Sequence, residues 1–156
     1  MKTLTIIQDR PVNLHGDGHL SFIADADIDC DGGANPQHDP CWQRDTTLHH
    51  HGHPVDAERV PFIVVPPSIV RAVAPVVMGC QAKITNTLNG QSCLAVVADT
   101  GPAKKLGELS PAAARRLGIN PNPNTGGESR PVILYELWPG QPATVDGESY
   151  QLQPAG

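Results

Sequence analysis

Long apolar runs are missing from this sequence, and with them any helical membrane span. The opening residues, Met1-Lys2-Thr3-Leu4-Thr5-Ile6-Ile7-Gln8-Asp9-Arg10, hold no apolar stretch long enough for a secretory signal. The expectation is therefore action where the chain is made, or export by another route. Positive charge is also short: 11 Lys and Arg stand against 16 Asp and Glu, a net charge of −5. That balance argues against a nucleic-acid partner and suits a cationic ligand. Aromatic residues are few, with two each of Phe, Tyr and Trp, whereas 15 glycines and 16 prolines are spread over 156 residues. Such punctuation predicts turns and short strands, a mainly β protein with one or two short helices. Neither an internal repeat nor a linker is visible, so residues 1–156 are read as one domain.

What is there centres on Val96-Val97-Ala98-Asp99-Thr100-Gly101-Pro102 and the Leu106-Gly107-Glu108-Leu109-Ser110 that follows. Residues 84–87 and 93–98 flank Asn89-Gly90, a dipeptide that favours a tight hairpin turn. A two-residue turn there sets Ile84 opposite Ala95 and Ala82 opposite Val97, and Asp99 continues the same core-facing row. A carboxylate in that position is partly stripped of water, a setting that suits a general acid. Ser110-Pro111-Ala112-Ala113-Ala114-Arg115-Arg116-Leu117-Gly118 reads as the cleanest helix in the chain. Ser110 is its N-cap, Pro111 its first residue, and Gly118 its stop. Glu108, just ahead of that cap, is thereby fixed in direction. Each acid also has an ordinary use, Asp99 as a turn cap and Glu108 as a partner of the helix dipole.

Elsewhere the pattern predicts strands over residues 3–8, 20–29, 60–67 and 131–137, and a final hairpin turning at Asp146-Gly147. Residues 68–77 read as a helix that Pro75 cuts short. Asp25, Asp27, Asp29 and Asp31 recur at period two and line one face of an extended segment. Unneutralised, such a row repels itself and needs solvent, a cation or a positively charged ligand. Asp27-Ile28-Asp29-Cys30-Asp31-Gly32 also matches the first half of a calcium-binding EF-hand loop, but the twelfth position is His38 and the preceding segment reads as strand. Solvation of the outer carboxylates is the favoured account, and no metal or cofactor is assigned. Cys30 and Cys41 enclose a short loop rich in Gly, Pro and Asp, where a disulfide is expected. Cys80 and Cys93, roughly 20 Å apart in the hairpin register, are expected to stay unbonded. His49-His50-His51-Gly52-His53 invites a zinc reading, but zinc sites take ligands from separated elements, so this stretch is read as an exposed loop.

Asp27-Ile28-Asp29-Cys30-Asp31-Gly32, the strand Ile63-Val64-Val65, and Asp99-Thr100 with Gly107-Glu108, the Glu nine positions after the Asp, together resemble the chitosanases of glycoside hydrolase family 75. The resemblance covers residues 24–117. It implies an endo-acting, inverting hydrolase of β-1,4-linked glucosamine polymers, with Asp99 and Glu108 as the catalytic pair. Val97-Ala98-Asp99-Thr100-Gly101 also resembles the Asp-Thr-Gly strand end of double-psi β-barrel enzymes that cut peptidoglycan glycan strands. That second likeness implies a six-stranded double-psi-like barrel.

In an inverting enzyme one carboxyl protonates the leaving oxygen and the other activates water, about 6.5–9.5 Å away. Asp99 is assigned as acid and Glu108 as base, with the reverse left open. Asp27, Asp29 and Asp31 are expected to bind protonated amines, with Thr100 beside them and Trp42, Tyr135 or Trp138 stacking on sugar rings. The expected partner is a polysaccharide, chitosan-like or peptidoglycan, acted on by a monomer. Muramidase or lytic transglycosylase activity and a non-catalytic carbohydrate-binding or structural barrel are the alternatives.

Overall fold

The computed structural model describes residues 1–36, 38–72, 78–101 and 104–154. Its elements run β1 (Lys2–Ile7), β2 (Arg10–Leu14), β3 (Leu20–Ile28), β4 (His49–His50), β5 (His53–Pro54), β6 (Phe62–Val65), α1 (Pro67–Ala72), β7 (Cys80–Asn86), β8 (Ser92–Thr100), β9 (Glu108–Leu109), α2 (Pro111–Arg116), β10 (Glu128–Pro142), β11 (Thr144–Val145) and β12 (Glu148–Ser149). The main sheet is ordered β1-β2-β3-β10-β7-β8-β6-β9, and β9 also pairs with β3. That last pairing closes β3, β10, β7, β8, β6 and β9 into a six-stranded barrel, with the β1–β2 hairpin added outside it. Pairings β6–β8 and β3–β9 are parallel, and the rest of the barrel is antiparallel. The predicted mainly β, six-stranded architecture is the one observed. Among the described residues no helix is long and apolar enough to cross a membrane.

Alternation explains the walls. In β3 the residues Leu20, Phe22, Ala24, Ala26 and Ile28 are buried, while Asp25 and Asp27 between them are partly exposed. The same period-two pattern continues in β7 and β10. Strand β6, Phe62-Ile63-Val64-Val65, is buried at every position, as a strand enclosed on both faces must be. Tyr135 stacks on Phe22 with ring centroids 5.0 Å apart inside the barrel, and its hydroxyl donates to the Asp25 carbonyl at 2.7 Å.

Several local expectations are corrected. The β7–β8 hairpin pairs Ile84 with Cys93 and Ala82 with Ala95, two residues off the predicted register. Asn86 starts the turn earlier: its N–H donates to the Gln91 carbonyl, its carbonyl accepts from Gly90 N–H, and its side-chain oxygen accepts from Leu88 N–H. A shift of two conserves which side chains face inward, so the buried row survives as far as Val97, but a bulge against β6 sets Asp99 on the face of Glu108 and Asp27 rather than in that row. No disulfide joins Cys30 to Cys41. Cys30 continues the inward row of β3 and is buried, whereas Cys41 is exposed. Hydrogen bonds close that loop instead, from Gly32 N–H to the Gln43 carbonyl at 3.1 Å and from Gln43 N–H to the Asp31 carboxylate at 2.8 Å. The helix stop at Pro75, and Pro102 of the Gly101-Pro102 turn, fall outside the described residues.

Helix α2 forms as predicted, and its cap has a second task. The Ser110 hydroxyl accepts from Ala113 N–H at 3.2 Å and Phe62 N–H at 2.9 Å, and donates to the Val60 carbonyl at 2.8 Å. One fully buried hydroxyl therefore starts the helix and anchors β6 beside β9. Replacing it strands buried backbone groups as well as uncapping the helix. Ser110→Ala is expected to cost about 2–3 kcal/mol. Thermal melting should show this as a drop of roughly 4–10 °C, with an unchanged melting temperature refuting the anchor.

Candidate functional site

The register of the barrel brings the two predicted acids to one level. Val64 of β6 pairs with Asp99 on one side and with Glu108 on the other, and Glu108 in turn pairs with Asp27. Asp99 and Glu108 thus sit two strands apart, roughly 10 Å between backbones at ordinary strand spacing. A β-bulge at the β6–β8 pairing skips Ala98, so that Val97 and Asp99 face consecutive residues of β6. Such bulges re-aim side chains at strand ends. Glu108 is set by Gly107, whose φ is +94° and whose missing Cβ would lie 2.4 Å from the Asp25 carbonyl oxygen. At Gly101 a Cβ would lie 2.5 Å from the Glu108 carboxylate. Gly101 leaves the room that this acid occupies, and Gly107 lets the chain just before it pass close against Asp25.

Asp99 is only 6% exposed. Its Oδ1 accepts from Thr47 N–H at 3.1 Å, Thr47 hydroxyl at 3.0 Å and Thr100 N–H at 3.1 Å. Thr47 is itself held by Gln153, whose side-chain amide donates to the Thr47 carbonyl at 2.8 Å and accepts from His49 N–H at 3.0 Å. Carboxyl oxygens of Asp29, Asp31 and Asp99 lie within 4.8 Å of one another. Burial first, then the charges of Asp99 and Asp31, push the Asp29 carboxyl up to about 9. Burial likewise raises Asp31, to about 6, against the opposing hydrogen bond from Gln43 N–H. Three carboxyls this close retain a proton near neutrality.

Glu108 is raised by burial, an effect that Lys105 at 3.7 Å opposes. Lys105 also forms an ion pair with Asp27, and Asp25 pairs with Arg10 at 2.9 Å. The aspartate row of β3 is therefore divided: its first two members are neutralised by cations, and the next two join Asp99. The EF-hand reading does not fit this division, because Asp27 is turned to Lys105 rather than to a point shared with Asp29 and Asp31. The oxygen set of Asp29, Asp31 and Asp99 is of the hard kind that calcium or magnesium accepts.

A cleft of about 590 Å³ opens over these groups. Asp27, Asp29, Asp31, Thr100, Lys105 and Glu108 line it, with Asp39, Cys41, Gln43, Pro123 and Gly126 among the loop residues at its edge. Asp99 lies behind Asp29 rather than in the lining. Two predicted sugar-binding residues are placed elsewhere. Tyr135 is 0% exposed, so it packs the barrel and cannot stack on a sugar. Trp42 is half-buried against the core and donates its indole N–H to the Gly33 carbonyl at 3.0 Å, which spends the ring on loop packing. Trp138 stacks on His19 at 5.2 Å.

Thr47 and Lys105 were not singled out by the sequence. Lys105, three residues before Glu108, carried a signal in its spacing, but Thr47 reaches Asp99 across 52 residues of chain and left none.

The Asp29 proton has a consequence for stability. An acid that binds its proton more tightly when folded stabilises the fold at low pH, and that contribution fades as pH climbs from the ordinary carboxylate value of 3.8 toward about 9. Asn carries no proton to lose and mimics the neutral acid in shape. Relative to the unaltered protein, Asp29→Asn should therefore gain several degrees of melting temperature between pH 5 and pH 9. A difference that stays constant across that range would rule out the retained proton. No model of a known protein family matches this chain and no curated protein matches it in sequence, so the meaning of the cleft rests on its own geometry.

Proposed function

We propose that this protein is an endo-acting glycoside hydrolase that cleaves a β-1,4-linked amino-sugar polymer of the chitosan kind by an inverting, two-carboxylate mechanism. The observation that carries the reading is the row Asp99, Val64, Glu108 across β8, β6 and β9, with Glu108 lining an acid-rich cleft and Asp99 joined to it through the lining carboxyls of Asp29 and Asp31. Side chains reaching in from backbones two strands apart suit the 6.5–9.5 Å that a water and a sugar need between the carboxyls. The proton retained among Asp29, Asp31 and Asp99 serves as the acid, passing to the glycosidic oxygen as the bond to the anomeric carbon breaks. Glu108 takes a proton from the water that attacks that carbon from the opposite face. Lys105 opposes the burial that raises Glu108 and so favours the ionised form that a base requires. Lining carboxylates outnumber the one lysine, which favours protonated glucosamine units over neutral sugars.

Reducing-end release from chitosan and from purified peptidoglycan, measured side by side and with mass spectrometry of the products, tests this reading. Chitosan should yield oligomers of inverted anomeric configuration. Asp99→Asn and Glu108→Gln should each lower the rate at least about 100-fold, with folding checked by thermal melting. Clearance of cell walls with chitosan left intact would replace this substrate with peptidoglycan. Retention on either polymer without products would reduce the protein to a binding module.

A further inference from the structure

The histidine stretch left aside by the sequence reading meets a carboxylate from the far end of the chain. His50 and His53 face each other across the β4–β5 hairpin, and the two residues between them, His51 at φ 52° and Gly52 at φ +78°, both take the left-handed backbone of a tight two-residue turn. A second hairpin, β11–β12, turns at Asp146-Gly147 in the same conformation and presents Glu148. His50 Nε2 donates to Glu148 Oε2 at 2.9 Å, and His51 Nε2 lies 4.0 Å from that same oxygen. The His50 and His51 rings lie 4.0 Å apart by centroid, and Tyr150 backs His50 at 4.3 Å. The donor atoms of His50, His51 and Glu148 all fall within 4.8 Å of one another.

The geometry points to a zinc-binding site formed by His50, His51 and Glu148. A tetrahedral zinc with ligands at 2.0–2.1 Å sets its donor atoms roughly 3.3–3.4 Å apart, a spacing that the observed 2.9 and 4.0 Å bracket. Small side-chain rotations, easy for His51 at 79% exposure, close the difference. Two imidazoles and one carboxylate make a donor set of borderline softness, suited to zinc rather than to calcium or magnesium. A fourth position is left for water. His49 is not a member, since its Nε2 is engaged with Asp45 at 2.6 Å. Bound zinc would join two surface hairpins about a hundred residues apart in sequence, the separated elements that a run of histidines alone does not supply. The site is distinct from the acid-lined cleft and does not rest on the reading of that cleft.

Calorimetric titration of the full-length, chelator-treated protein with zinc chloride, paired with thermal melting, tests the assignment. One zinc per chain should be lost, or weakened at least about tenfold, in both His51→Ala and Glu148→Gln. It should persist in Asp29→Asn, which alters the cleft, and in His15→Ala, which lies outside the trio. Saturating zinc should raise the melting temperature of the unaltered protein by about 5 °C or more at a hundredfold excess over Kd, and that of Glu148→Gln by much less. Zinc uptake unchanged by both trio substitutions, or none by the unaltered protein at 100-fold molar excess, would overturn the site.

Discussion

Two residues hold this architecture shut. Strand β9, Glu108 and Leu109, pairs in parallel with Asp27 and Ile28 of β3 and antiparallel with Ile63 and Val64 of β6. Its flanks add Asp27 N–H to the Gly107 carbonyl at 2.7 Å, Asp29 N–H to the Leu109 carbonyl at 2.8 Å and Ser110 N–H to the Phe62 carbonyl at 3.0 Å. Without β9 the strands β3 and β6 stay apart; with it they are bridged and the six-stranded barrel closes. The same residue that closes the wall carries the carboxylate that reaches the cleft. Closure and chemistry are therefore set by one register, and a slip of β9 by one residue would turn Glu108 to the other face.

The cost of the cleft is electrostatic. Like charges brought together without a cation are tolerated only when protons or fixed donors reduce them. Both devices are present, since Thr47 and Thr100 aim three donors at Asp99, while the Asp29 carboxyl is raised toward its neutral form. On the opposite side, Lys105 shares its charge between Asp27 and Glu108. One wall thus leans toward holding a proton, while on the other Lys105 works against the burial that raises Glu108.

Much of this was legible in the sequence because it is local. Ser110, Pro111 and Gly118 punctuate α2 within a few residues, and prolines bound the buried strand β6 on both sides. Alternation placed the inward rows of β3 and of β8 as far as Val97, and parity protected them when the hairpin register moved by two, but the bulge that takes Asp99 off that row left no sign in the local pattern. What escaped depends on chain returning from afar. The partners of the aspartate row, Arg10 and Lys105, come from elements on either side of β3 in sequence. Whether Tyr135 points inward or outward is decided by barrel closure, not by its neighbours. Cys30 and Cys41 are near in sequence, yet β3 spends Cys30 on the core.

Gln153 gives one of these long-range dependences a mechanical meaning. Its backbone pairs with Met78 in both directions at 2.8 Å, while its side chain grips the Thr47–His49 stretch that supports Asp99. The segment after the last strand therefore acts as a buttress: force applied to it is transmitted through Thr47 to the buried acid. Loosening at residue 153 would be felt first as a change in how firmly that carboxyl is aimed, before any strand of the barrel parts.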